Sequence, residues 1–258
     1  MSSGVKPGRH ALVTGGSRGI GAAIARRLVA DGHRVTILDV RLEGAQQLAT
    51  KDPEHLHAVA ADITSEQQVQ AAVADANQRF GRVDILVNNA GMASSAPFLK
   101  MDLALWQRML DVNLTGTMLC THAVLPAMVE AGWGRIVNIA STAGKVGYAY
   151  VTAYVAAKHG VVGLTRALAL EMAKKGVTVN AVCPGYANTD LVKESIRRVV
   201  AKTGRSEESA LEEFIKVNPQ HRLVEPVEVA DTVAWLCGEN TGAVTGQSVS
   251  VSGGEVMP

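Results

Sequence analysis

The chain has 258 residues, 25 Lys+Arg against 24 Asp+Glu, 25 glycines, and 47% hydrophobic but only 4% aromatic residues. This is enough apolar material for one large core, which excludes disordered and fibrous classes, and a formal net charge of +1 leaves no broad field to gather nucleic acid or an anionic membrane. The expected partner is a small molecule.

The N-terminal stretch through Gly8 carries no apolar signal segment, and no uninterrupted apolar run reaches the ~18 residues of a membrane span. A cytoplasmic, thiol-reducing compartment is therefore expected. Short apolar runs then alternate with alanine-rich helical stretches, the pattern of βαβ units and a parallel sheet. The first strand, His10–Thr14, leads through a glycine-rich turn into a helix over residues 19–31 that stops at Gly32. Strands Arg34–Asp39 and Leu56–Ala60 follow. The helix Glu66–Phe80 opens with Ser65 and Gln68 in capping-box spacing. Further strands are read at 83–88 and 135–140. A long helix from Thr152 is expected to hold Lys174 and Lys175 in its last turn and to end at Gly176. A strand over 177–182, a helix beginning near Pro226 and a strand over 247–251 complete the series. Between the last two strands, residues 186–222 break the rhythm with helical patterns at 191–202 and 206–217, an insertion read as a mobile substrate lid. No internal repeat or composition shift divides the chain, so residues 1–258 are read as one domain. Cys120, Cys183 and Cys237 are odd in number, with no CxxC pair, and read as small buried apolar residues. No metal-ligand cluster is visible.

Three features carry chemistry. Thr14-Gly15-Gly16-Ser17-Arg18-Gly19-Ile20-Gly21 places glycines where a backbone turns tightly and approaches a pyrophosphate at a helix start. Asp39, 18 residues past Gly21, suits a carboxylate that binds the adenosine ribose hydroxyls and repels the extra phosphate of NADP. NAD is therefore favoured, with Arg18 pulling towards NADP and a solvated strand-end role for Asp39 as the plain alternative. Tyr154 and Lys158 lie four apart on one helix face, where an ammonium can bring a phenol towards its working range as an acid or base. Ser141, Asn88-Asn89-Ala90-Gly91 and Asn113 lie at or beyond strand carboxyl ends. Each of them read alone is a turn former or backbone partner.

Together with Asp62 and with Pro184-Gly185 followed by Thr189, these residues resemble the short-chain dehydrogenase/reductase family from about His10 to Gly254. The resemblance implies a doubly wound, seven-stranded parallel Rossmann sheet with helices on both faces, and a homotetramer. It implies Tyr154 as acid/base, Ser141 as the residue that orients the carbonyl, Lys158 as ribose ligand and pKa modulator, and Asn113 as holder of a relay water. Gly15, Ser17, Arg18, Gly19, Ile20, Gly21, Asp39, Asp62, Ile63, Asn89, Ala90, Gly91, Pro184, Gly185 and Thr189 would line the cofactor together with Tyr154 and Lys158. The sequence around Ser141 and Tyr154 is similar to family members acting on 3-oxoacyl and 3-hydroxyacyl thioesters.

A coenzyme A thioester is thus the first substrate expectation. Free secondary alcohols, or NADPH-dependent reduction of polyketide or fatty-acyl ketones, are the alternatives. Five cations at Lys193, Arg197, Arg198, Lys202 and Arg205, against Glu194 alone, suggest a basic patch for coenzyme A phosphates or an acidic carrier protein. A solvated lid face balanced by Glu207, Glu208, Glu212 and Glu213 is the plain alternative. Ala143, Val146, Tyr148 and Tyr186 are expected to complete the substrate pocket.

Overall fold

A computed structural model describes residues 8–257, so the N-terminal stretch read for targeting signals lies outside the described residues up to residue 7. The strands are β1 (His10–Thr14), β2 (Arg34–Asp39), β3 (Leu56–Ala60), β4 (Ile85–Asn88), β5 (Gly134–Ile139), β6 (Val177–Pro184) and β7 (Ser248–Val251). The helices are α1 (Gly19–Ala30), α2 (Glu43–Lys51), α3 (Glu66–Phe80), α4 (Leu103–Leu110), α5 (Gly116–Glu130), α6 (Thr152–Met172), α7 (Asp190–Thr203), α8 (Glu207–Ile215) and α9 (Pro226–Cys237).

The strands form one sheet in the order β3-β2-β1-β4-β5-β6-β7, and every neighbouring pair is parallel. Residues of β1, β4, β5 and β6 are buried throughout, because helices cover both faces. Alternation sorts β1: Ala11 and Val13 pack with Ile24 and Leu28 of α1 and Val229 and Val233 of α9. Leu12 faces the opposite side with Val69 and Val73 of α3 and Cys120 and Val124 of α5. The chain winds outward from β1 in one direction and from β4 in the other, so a crevice opens at their carboxyl ends. All three cysteines are buried and free.

Local differences from the sequence reading have local causes. Ser65 caps α3 through the N–H of Gln68, but Gln68 Oε1 accepts the N–H of Asp62 instead of that of Ser65. Half the capping box therefore becomes a tether for the loop that carries Asp62. Helix α6 ends at Met172, so Lys174 and Lys175 fall in the turn beyond it, where the Lys175 N–H bonds Met172 O at 2.8 Å. Strand β4 starts at Ile85, two residues late, with the Asp84 carboxylate held by Arg82. Helices α4 and α5 join through a π turn, Asp111–Thr115, that the sequence reading did not foresee. The continuous helical stretch of 28 residues, Leu103–Glu130, is long and apolar enough to cross a bilayer by length and composition alone. Its Cys120, Val124 and Met128 pack on the sheet. Helices α7 and α8 occupy the long insertion and share a small apolar cluster, Val192, Ile196 and Ala210 with Phe214, separate from the clusters on the two sheet faces.

Candidate active site

The turn between β1 and α1 is as tight as its glycines suggest. Gly15 has φ +64°, and a Cβ there would lie 2.7 Å from Ala90 Cα; a Cβ on Gly21 would lie 2.2 Å from Gly15 O. Thr14 Oγ1 accepts the N–H groups of Asn89 and Ala90, both at 3.0 Å, while Asn89 Nδ2 donates to Thr14 O and Gly15 O. The end of β4 thus clamps the turn. Arg18, the residue before α1, offers no side-chain cap, so the first N–H groups of the helix remain available to an anion. Asp39 closes the far side, accepting the N–H groups of Ser17 and Arg41, each at 3.2 Å. Arg18 and Arg41 are exposed. Asp62 is fixed by Thr64, whose N–H and hydroxyl both donate to Oδ1, and Ile63 packs on Gly116 at the start of α5. Ile20 packs on the core beneath. A close-approach glycine turn, an uncapped helix start and a carboxylate at the exit of β2 fit the pyrophosphate and ribose of a dinucleotide.

The proton-handling residues meet where β4, β5, α5 and α6 converge. Asn113 sits in the π turn and is buried; its side chain donates to Met92 O and Met109 O, both at 2.9 Å, and accepts the Met92 N–H. The amide is thus a brace between two segments, and π turns are frequent at functional sites. Gly91 lies between Asn113 and Lys158: a Cβ there would stand 2.9 Å from Asn113 Oδ1 and 3.7 Å from Lys158 Nζ. Lys158, only 5% exposed, donates to Ile139 O at 2.8 Å. Burial lowers its pKa to about 8. Ser141, two residues beyond Ile139, accepts the Ala143 N–H at 3.1 Å and bonds the Tyr154 hydroxyl. The Lys158 ammonium lies 5.7 Å from the centre of the Tyr154 ring. The expectation that it brings the phenol down is corrected: burial pushes the Tyr154 phenol up, and only the Ser141 hydrogen bond opposes it. The arrangement favours a neutral phenol, which can donate a proton to a carbonyl oxygen.

Comparison with known proteins agrees with this geometry. The family model for short chain dehydrogenases matches residues 9–199. The chain belongs to the short-chain dehydrogenase/reductase family. It is 42% identical over 250 residues to a putative ketoacyl reductase of Streptomyces coelicolor, covering 95% of each protein. It is 40% identical over 247 residues to an acetoacetyl-CoA reductase of Rhizobium meliloti, covering 96% of this chain and 98% of that one. A point variant of actinorhodin polyketide ketoreductase, solved with NADPH, superposes with a TM-score of 0.91 at 42% identity, covering 96% of this chain and 97% of the other. The protein is thus an NAD(P)-dependent oxidoreductase acting on alcohol or ketone groups.

Within this short-chain dehydrogenase/reductase, β6 ends at Pro184 and the Gly185 N–H bonds Val251 O at 3.0 Å. Thr189, the residue before α7, reaches back to the glycine turn, its Cγ2 3.3 Å from where a Cβ on Gly19 would lie. Of the four pocket residues, Ala143 is buried, Val146 is exposed and Tyr148 is half-buried. Tyr186 stacks edge-on against Phe214 of α8 at 4.9 Å, tying the insertion to the site. Two features were missed. Asn88 Nδ2 bonds Thr121 Oγ1 and Asn138 Oδ1, and Asn138 Nδ2 bonds Thr165 Oγ1, forming a buried polar chain under the site. Asn138 between the apolar Val137 and Ile139 of β5 was its available signal. The other is Glu255, whose carboxylate takes the Tyr148 hydroxyl.

Proposed function

We propose that this enzyme interconverts a 3-hydroxyacyl and a 3-oxoacyl thioester of the coenzyme A type, with NAD(H) as its preferred nicotinamide. The observation that carries the chemistry is the convergence of Tyr154, Ser141, Lys158 and Asn113 at one sheet edge beside the clamped glycine turn. The Tyr154 phenol gives its proton to the carbonyl oxygen during reduction, and the Ser141 hydroxyl holds the same oxygen. Lys158 keeps two of its three donors beyond the bond to Ile139 O for a ribose hydroxyl and the proton path. Asn113 shapes the π turn next to Lys158 and supports a relay water there. When bound, the nicotinamide supplies or accepts the hydride. Gly15, Gly19 and Gly21 would hold its pyrophosphate, Asp39 and Asp62 its adenosine half, and Gly91, Pro184, Gly185 and Thr189 would border the nicotinamide.

The NAD preference rests on Asp39. Its two backbone bonds hold the carboxylate at the exit of β2, and a carboxylate beside the adenosine ribose would repel a 2′-phosphate, while exposed Arg18 and Arg41 are the groups that could receive that phosphate instead. The thioester reading rests on α7. Arg198 pairs with Glu194 and Arg205 with Glu213. Among the described residues, Lys193, Arg197 and Lys202 pair with no carboxylate and remain for an anionic carrier. Residues 186–222 act as the lid, and the exposed Leu103 and Leu170 mark faces for a homotetramer, with the cytoplasm as the working compartment.

The deciding experiment is a kcat/KM panel of 3-hydroxybutyryl-CoA, 1-phenylethanol and cyclohexanol, each with NAD and with NADP. Reversing Arg197 and Arg198 to Glu is expected to raise KM for the CoA thioester far more than for a small free ketone. Equal effects, or free alcohols winning outright, overturn the thioester assignment, and NADP winning overturns the role given to Asp39.

A further inference from the structure

The C-terminal segment brings an acid to the wall of this site. Gly253 has φ +62°, and Asn218 Oδ1 would lie 2.0 Å from any Cβ placed there, so this turn accepts only glycine and delivers the residues after it over the exit of β6. Glu255 then lies against Tyr148 and Gly185 on the substrate side. Its Oε1 accepts the Tyr148 hydroxyl. Its Oε2 would stand 2.6 Å from a Cβ on Gly185, so the carboxylate rests on the backbone that follows β6. Burial raises the Tyr186 phenol, and the Glu255 charge adds to that rise.

One feature of Glu255 is unusual. Oε2 is buried and has no hydrogen-bond partner. An unpartnered buried carboxylate oxygen costs its full desolvation with no return, and folded proteins keep few such atoms. The bond to Tyr148 does not relieve it, because it engages the other oxygen. Burial accordingly raises the carboxyl, with Tyr148 opposing.

We propose that Glu255 is a specificity-determining residue: Oε2 receives a hydrogen-bond donor carried by the substrate, so the preferred substrates bear a hydroxyl or N–H group on the arm that lies over Gly185. This deepens the reading above, on which it rests for placing the reacting carbonyl at Tyr154 and Ser141. A site built to meet a substrate donor discriminates against the analogue lacking it, because the buried acceptor is then left unpaired.

The test uses matched pairs that differ only by a hydroxyl: 1-phenylethanol with its 3- and 4-hydroxyphenyl counterparts, and 3-hydroxybutyryl-CoA with 3,4-dihydroxybutyryl-CoA. The wild-type enzyme is expected to favour the hydroxylated member by about tenfold or more in kcat/KM, carried by KM. Glu255→Ala is expected to bring that ratio close to one. Glu255→Gln keeps the shape but leaves its one carbonyl oxygen to Tyr148, and is expected to do the same. Tyr148→Phe frees the carboxylate to swing and lowers the ratio in part. A wild-type ratio near one on both pairs overturns the proposal. So does a set of variants that lose thermal stability while both members of a pair fall by the same factor, which is the signature of a purely structural tie. Turnover of the alcohol pair without turnover of the thioesters refutes the thioester assignment, while the role of Glu255 is still read from the alcohols.

Discussion

Replacing Lys158 by methionine should abolish turnover and yet make the enzyme without nucleotide more stable at neutral pH. Lys158 is 5% exposed, and among the described residues no carboxylate faces it; its ammonium has one bond, to Ile139 O at 2.8 Å. Burial takes its pKa from 10.5 in water to about 8 in the fold. At 1.36 kcal/mol per pKa unit, keeping this lysine charged in the fold costs about 3 kcal/mol. Methionine is of similar length and carries no such penalty, but it loses the charged bond to Ile139 O, worth about 2 kcal/mol. The net gain is about 1 kcal/mol, or about 3 °C in Tm for a chain of this size. The sign with pH follows from proton counts. Between about pH 8 and 10.5 the unfolded chain binds the proton and the native chain does not, so wild-type stability rises with pH across that window. Below it both states are protonated and the penalty is in full force. The advantage of Lys158→Met is therefore largest below pH 8 and should shrink towards pH 10.5. Equilibrium urea unfolding at pH 7 and pH 9.5, at one fixed protein concentration, measures it. A variant less stable than wild type at pH 7, or a gain that does not change with pH, would refute the argument.

Tyr154→Phe should lower kcat by about 10²–10⁴-fold while nucleotide binding, followed by NADH fluorescence, stays measurable. Because the Tyr154 phenol is pushed up, alcohol oxidation, which needs the deprotonated form, should rise with pH through the alkaline range, and ketone reduction should fall there. Gly21→Ala puts a Cβ 2.2 Å from Gly15 O and must open the turn; by the usual cost of a shift near 1 Å, kcat/KM should drop about 10²-fold, largely through the dinucleotide KM. Asp39→Ser should move the NAD to NADP ratio of kcat/KM towards NADP, read with both nucleotides on one substrate; an unchanged ratio assigns Asp39 to the turn alone.

The sheet was legible because each βαβ unit announces itself locally. Apolar runs of four to eight residues, a helix start and a glycine at the helix end are all written within one stretch of chain, whereas the order of the strands in the sheet belongs to the assembled fold. The glycine turn and the Tyr154–Lys158 pair were legible for the same reason, since close backbone approach restricts a turn to glycine and helical spacing sets two side chains on one face. What the sequence could not give were properties belonging to more than one segment. The π turn at Asp111–Thr115 exists because Asn113 braces Met92 and Met109, a contact across 21 residues. The rise of the Tyr154 phenol depends on how deeply α6 packs, which four-residue spacing does not encode. Glu255 lies 107 residues from Tyr148, so no local pattern links them.

The same distinction explains why the site is held from below. Tyr154 and Lys158 both titrate unfavourably when buried, so α6 cannot be kept in place by its catalytic residues. The polar chain Asn88–Asn138–Thr165 meets this need, since Thr165 is fully buried on α6 and Asn138 and Asn88 belong to the two strands beneath it. Each link is a directional bond in a dry environment and fixes the position of its members, although Asn88 Oδ1 itself is buried without a partner. Helix α6 is thereby pinned to β4 and β5, the strands whose ends carry Gly91 and Ser141, and the reacting groups inherit their spacing from amides that never touch substrate.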